Sequence, residues 1–298
     1  MLLGNPPPQL QVWRKLNAAP TDITDPEATR VYQGNGAAAQ DPITNLLPTT
    51  TGTPRVYHYA LFFCDAGGTT CSATGLSASI SITVSQALLG GGYTIYFRHA
   101  ETVDQARTMD VCADNTGLGL ASVVAGGAND NWWKSCTPDV EVTPNWDCTG
   151  ATARQLSQKG IDDALLIGTN MRARNIPVGA VLSSEYCRGL RTAERMALGP
   201  TPQTRPELTF FVYANVRNRC VDHTNVLNTE PVAGTNTVVV AHSAIASDST
   251  FNPPVPAPDC SAQEGSARGN AVIYKPRANT TPLEIQRGIT PAQWATLD

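Results

Sequence analysis

Residues 93–97, Tyr93-Thr94-Ile95-Tyr96-Phe97, run directly into Arg98-His99-Ala100-Glu101-Thr102. The first five are β-branched or aromatic and are set off by Gly90-Gly91-Gly92, the pattern of a strand buried on both faces. Three similar runs follow: Val178-Gly179-Ala180-Val181-Leu182, Thr237-Val238-Val239-Val240-Ala241 and Asn270-Ala271-Val272-Ile273-Tyr274. Between them, helical spacing extends over Ala151–Arg174 through Leu156, Ile161, Ala164, Leu165, Gly168 and Met171. A second helix is expected from Glu185 to Leu198, stopped by Gly199-Pro200. Apolar strands joined by helices predict an α/β fold, a three-layer αβα sandwich with a mostly parallel sheet. Ligands of such sheets bind beyond the carboxyl ends of the strands, where Arg98 and His99 are delivered.

Two other strands end in residues of the same chemical kind. The run at 178–182 ends in Ser183-Ser184 and leads into a helix whose first turn carries Arg188, and the run at 237–241 ends in His242-Ser243. Two imidazoles, two guanidiniums and a helix N-terminus at one sheet edge suit a dianionic phosphoryl group, because arginine forks and helix N-termini both favour phosphate. Arg188 has Arg191 and Arg195 as neighbours on its helix, where solvation is the bland alternative for any arginine, and surface roles are expected for His58 and His223.

These residues resemble the histidine phosphatase (phosphoglycerate mutase-like) superfamily over roughly residues 90–298. The matching segments are Arg98-His99-Ala100-Glu101-Thr102, Leu156-Ser157-Gln158-Lys159-Gly160, Ser183-Ser184-Glu185-Tyr186-Cys187-Arg188-Gly189-Leu190-Arg191-Thr192-Ala193, the strand ending at His242, and Glu264-Gly265. The resemblance implies that His99 attacks phosphorus to form a phosphohistidine, while Arg98, Arg188 and His242 hold the phosphoryl oxygens. Phosphoryl transfer depends on positioning and electrostatics, so no metal and no cofactor is expected. A buried imidazole beside two arginines should have a depressed pKa and be neutral, as a nucleophile must be. The family's general acid has no direct match. Phe210 stands where a glutamate falls in many members, and Ser243 replaces an aspartate used in another branch, which leaves Glu207 and Glu264 as candidates.

With 298 residues the chain can hold one large domain or two ordinary ones. A net charge of −4 with no Lys/Arg run argues against nucleic-acid binding, and no apolar stretch is long enough to span a bilayer. Charged residues make up only 15% of the chain, a balance more typical of exported proteins. None of the eight cysteines forms a C-x-x-C pair, so zinc and thioredoxin spacings are absent. Disulfides in an extracellular or periplasmic setting fit this even number, and eight reduced cysteines are the alternative. A local bridge, Cys64–Cys71, is proposed over the turn Asp65-Ala66-Gly67-Gly68. The start Met1–Pro8 lacks the charged and apolar regions of a signal peptide, so an incomplete N-terminus is expected.

Residues 1–86 form a separate β-rich region. Leu10–Trp13, Arg55–Phe63 and Ala78–Val84 alternate like strands. Their order resembles the later strands of a fibronectin type III or related immunoglobulin-like module with its first strands missing; a β-rich extension is the alternative. The second domain, 90–298, carries an insertion at 103–150 with Trp132-Trp133, either a substrate wall or a pinned surface excursion. The expected function is metal-independent hydrolysis of a phosphomonoester or phosphoramidate, with a phosphorylated small molecule or phosphoprotein as partner. A phosphohistidine protein phosphatase, a mutase and a catalytically inactive secreted binding protein are the alternatives.

Overall fold

The protein is described by a computed structural model covering residues 9–34, 41, 46–48, 55–72, 76–102, 155–184, 187–208, 219–242, 267–277 and 282–297. The chain divides into two compact units, one of residues 1–90 with residue 298 and one of residues 91–297.

The first unit is an antiparallel sheet of β1 (Gln9–Leu16), β2 (Thr29–Gly34), β3 (Tyr57–Cys64) and β4 (Leu76–Ile80), in the order β2-β1-β3-β4. Pairing of Trp13 with Ala60 and of Gln11 with Phe62 sets one face, where Ala60, Phe62 and Cys64 pack with Trp13, Ile23 and Cys71. The turn after β3 folds back through Gly68 N–H to Asp65 O (2.9 Å), and the Cys64–Cys71 disulfide closes it as expected. β2 was not foreseen, since only Val31 and Tyr32 in it are apolar.

The expected strand over 78–84 is corrected at its end. Strand β4 stops at Ile80, and Val84 opens helix α1 (Val84–Gly90). The cause is a capping box in Thr83-Val84-Ser85-Gln86: Gln86 N–H donates to Thr83 Oγ1 (3.3 Å), and Thr83 N–H donates to Gln86 Oε1 (2.8 Å). Among the described residues this unit holds one sheet. Nothing there supplies the second sheet of an immunoglobulin-like module.

The second unit is an α/β fold. Its elements are β5 (Thr94–Arg98), α2 (Gln158–Ala173), β6 (Val178–Ser183), α3 (Cys187–Met196), β7 (Gln203–Thr204), a 3-10 turn (Pro206–Leu208), α4 (Arg219–Asn228), β8 (Asn236–Ala241), β9 (Ala271–Lys275), β10 (Leu283–Ile289) and a 3-10 turn (Ala292–Ala295). The six strands lie in the order β10-β9-β5-β8-β6-β7. Strands β5, β8, β6 and β7 are mutually parallel, whereas β9 runs antiparallel to both β5 and β10. The fourth apolar run therefore pairs in the direction opposite to the other three, which burial pattern alone does not encode.

Both sheet faces are covered. Tyr96, Val239, Ala241, Val272 and Tyr274 pack on one side with Val226 and Leu227 of α4 and with Leu208. On the other side Trp294, fully buried, stacks at 5.6 Å on Phe97. Helix α2 begins later than its apolar spacing suggests. Ser157 caps it by accepting from Gly160 N–H (3.0 Å), and Leu156 instead forms a β-bridge with Thr102. Helix α3 closes at Met196, because Ala197 takes a left-handed φ of 50°. Helix α4 was not expected, and it carries His223. The 103–150 insertion, with Trp132-Trp133, lies outside the described residues.

Candidate active site

Sheet register brings three strand ends together. Arg98 pairs with Ala241, and Ser183 pairs with Val240, so the carboxyl ends of β5, β8 and β6 lie level. The pairing extends one residue further on each side, with His99 N–H donating to Ala241 O (2.8 Å) and Ser184 N–H to Val240 O (2.9 Å). The rings of His99 and His242 stand 5.1 Å apart at 59°, and His99, His242 and Arg188 are all buried. Arg98 is partly buried beside them.

The backbone sets the tautomer of His99. Its Nδ1 lies 2.8 Å from Ala100 O, and a carbonyl only accepts, so the proton sits on Nδ1. The Nε2 lone pair is then available to a ligand. Burial lowers the pKa of His99 well below the usual imidazole value. The charges of Arg188, Arg98 and Arg268 act in the same direction, while the Ala100 carbonyl opposes them. The ring is neutral at pH 7. Arg98 is itself shifted down, first by burial and then by Arg268 and Arg188. This arrangement can present a neutral nitrogen nucleophile to an anion held by cations.

A buried polar frame holds the two histidines. Ser184 Oγ is 2.9 Å from His242 Nε2, and the Tyr96 hydroxyl donates to the His242 carbonyl. A Cβ on Gly189 would lie 2.4 Å from Ser184 Oγ, so only glycine leaves that hydroxyl its position. Thr192 Oγ1 accepts from Ala100 N–H (3.0 Å) and donates to Arg188 O (2.7 Å), tying the His99 loop to the helix of Arg188. Glu101 Oε1 accepts from Ser157 Oγ at 3.0 Å, at the start of α2.

The structure thus brings together Arg98, His99, Arg188 and His242. Glu207 sits in the 3-10 turn after β7, with its carboxylate 3.5 Å from Arg205 Nε. Strands β8 and β6 separate β7 from β5 in the sheet. Glu264, Phe210 and Ser243 lie outside the described residues. Ser184 and Thr192 stood in the sequence match but were given no task there. Arg268 was missed altogether, and Arg268-Gly269 just before an apolar run was the available turn signal. Among the described residues no cluster of three His, Cys, Asp or Glu is placed to hold a metal.

No family model matches this chain, and no curated protein matches it. Solved structures do. The protein histidine phosphatase SixA complexed with tungstate is 11% identical, with a TM-score of 0.40 over 67% of this chain and 98% of its own. Bacillus stearothermophilus YhfR is 14% identical, with a TM-score of 0.39 over 67% of this chain and 98% of its own. A phosphoserine phosphatase from Entamoeba histolytica, solved with phosphoserine, is 11% identical, with a TM-score of 0.34 over 66% of this chain and 96% of its own.

Proposed function

We propose that the 91–297 unit is a phosphatase that hydrolyses a phosphomonoester or phosphoramidate through a phosphohistidine on His99. The observation that carries this is the buried His99 ring, with its proton held on Nδ1 by the Ala100 carbonyl and arginines 98, 188 and 268 close enough to depress its pKa. Nε2 attacks phosphorus, a P–N bond forms, and the P–O (or P–N) bond to the leaving group breaks. Arg98, Arg188 and His242 hold the phosphoryl oxygens and offset the charge that spreads over them in the transition state. Water then cleaves the P–N bond and releases phosphate and free His99.

The leaving group takes a proton from a carboxylic acid when it is a poor one, and Glu207 and Glu264 are the proposed donors. The pairing of Glu207 with Arg205 favours substrates whose leaving group departs without help, such as aryl phosphates or phosphoramidates. The Cys64–Cys71 disulfide, together with a disulfide-bonded Cys187, supports an extracellular or periplasmic setting. No helix among the described residues is long and apolar enough to cross a membrane.

The test is hydrolysis of 4-nitrophenyl phosphate in the presence of chelator, with a rapid quench for acid-labile, base-stable phosphate on the protein. Turnover and labelling that both vanish in His99→Ala support the proposal; turnover that survives in His99→Ala overturns it. Glu207→Gln and Glu264→Gln are compared on aryl and alkyl phosphates. The variant that loses alkyl but keeps aryl turnover has lost the proton donor.

A further inference from the structure

The segment entering β9 wraps the backbone of the nucleophile. Asn270 O accepts from Arg98 N–H (3.2 Å), and Gly269 N–H is shared between Arg98 O (3.2 Å) and His99 O (3.1 Å). Asn270 N–H closes a four-residue turn onto Ala267 O (3.0 Å). Gly269, at φ +79°, takes the third position of this turn, where positive φ is required in a type II turn. Arg268 therefore occupies the outward second corner and is exposed, one residue from an amide bonded to the carbonyls of both Arg98 and His99. Its charge is felt at both of those side chains.

The position of Arg268 differs in kind from that of Arg188. Arg188 is buried on α3, whereas Arg268 is exposed at the turn before β9. A dianionic phosphoryl group already meets Arg98, Arg188 and His242. A third guanidinium at the rim leaves positive charge for a further anion carried next to that group, and arginine forks bind carboxylates and phosphates in the same way.

We propose that Arg268 is the specificity residue of this pocket, a rim cation that binds a second anionic group, carboxylate or phosphate, borne by the substrate beside its phosphoryl group. This rests on the phosphoryl-pocket reading above, and it narrows the substrate class to phosphorylated compounds with an adjacent negative charge.

The test uses two ligands that the protein cannot hydrolyse, methylphosphonate and methylenediphosphonate, which differ by one neighbouring anionic group. Their Kd values are measured by calorimetry on the full chain, as wild type, Arg268→Ala and Arg268→Lys. In the wild type methylenediphosphonate should bind the tighter, by about tenfold, the return expected from one charge-assisted contact. Arg268→Ala should bring the ratio of the two Kd values close to one, and Arg268→Lys should keep most of it. A ratio unchanged in Arg268→Ala, including equal weakening of both ligands, overturns the inference while leaving the phosphoryl pocket standing. Wild-type protein that binds neither phosphonate overturns the pocket itself, and the inference with it. Because Arg268 lies at an exposed turn corner, thermal unfolding of the variants should match the wild type, and a large drop assigns the residue to the turn instead.

Discussion

Thr192 Oγ1 receives the Ala100 amide proton at 3.0 Å and gives its own to the Arg188 carbonyl at 2.7 Å. One buried hydroxyl thereby spaces the loop that carries His99 against the helix that carries Arg188. In Thr192→Ala the Ala100 N–H is left buried without its partner, at a cost of about 1–3 kcal/mol. Turnover of 4-nitrophenyl phosphate should fall by about tenfold or more with the fold retained, because part of that cost reappears as misplacement of His99, the proposed nucleophile. Thr192→Ser, which keeps both bonds, should restore most of the rate; steady-state kinetics beside thermal unfolding separate the two effects.

Ser184 and Gly189 should behave as one device. Ser184→Ala removes the group 2.9 Å from His242 Nε2, and Gly189→Ala pushes a methyl toward that same hydroxyl. Both variants are expected to lower kcat by about tenfold, the rate equivalent of one lost buried hydrogen bond. The double variant should be little worse than either single one. Strictly additive losses in the double-mutant cycle would separate the two residues.

The pH dependence follows from the depressed pKa of His99. The unfolded chain takes up a proton on this ring near its ordinary value of 6.5, while the folded chain does not until well below that. Below about pH 6.5 the unfolded state binds more protons, so His99 makes the fold less stable as pH falls and has no effect above that range. The same shift keeps the His99 ring neutral, as the proposed nucleophilic role requires, and the acid limb of kcat/KM due to His99 should lie below pH 6.5. NMR titration of the ring checks this directly, and Arg188→Gln should move the midpoint upward.

A structural prediction concerns Arg174 just after α2. Its guanidinium donates to the carbonyls of Trp294 (3.0 Å), Leu297 (2.9 Å) and Ala295 (2.6 Å), pinning the turn that seats Trp294 on Phe97. Arg174→Ala should lower Tm by about 5 °C, given that charged hydrogen bonds contribute about 1.5–3 kcal/mol and a unit of this size shifts a few degrees per kcal/mol. Arg174→Lys should recover only part of the loss, since an ammonium lacks the planar fork. Differential scanning calorimetry measures both.

Much of the second unit was legible in the chain. Strands β5, β6 and β8 are short apolar runs with glycine or proline before them, and their polar ends carry His99, Ser184 and His242. Helices α2 and α3 were visible from spacing, though Ser157 and Ala197 moved their limits through local backbone geometry. Strand β10 escaped because register shifts between Glu284 and Gln286 and between Arg287 and Ile289 break its alternation. The start of α1 was written in Thr83-Val84-Ser85-Gln86, but the alternation of Ile80, Ile82 and Val84 looked like strand and concealed it.

By itself the sequence determined which strand ends carry the imidazoles and guanidiniums, because apolar periodicity and the residues that follow it are local properties. Tertiary structure decided what those groups are to one another. Register across β5, β8 and β6 set His99 at 5.1 Å from His242, an Ala100 carbonyl chose the tautomer, and a turn before β9 added Arg268. The His99–His242 spacing and the place of Arg268 depend on pairing between residues more than a hundred positions apart, which no local pattern in the chain records, and the Ala100 carbonyl, although adjacent to His99 in sequence, is aimed at its ring by the folded backbone.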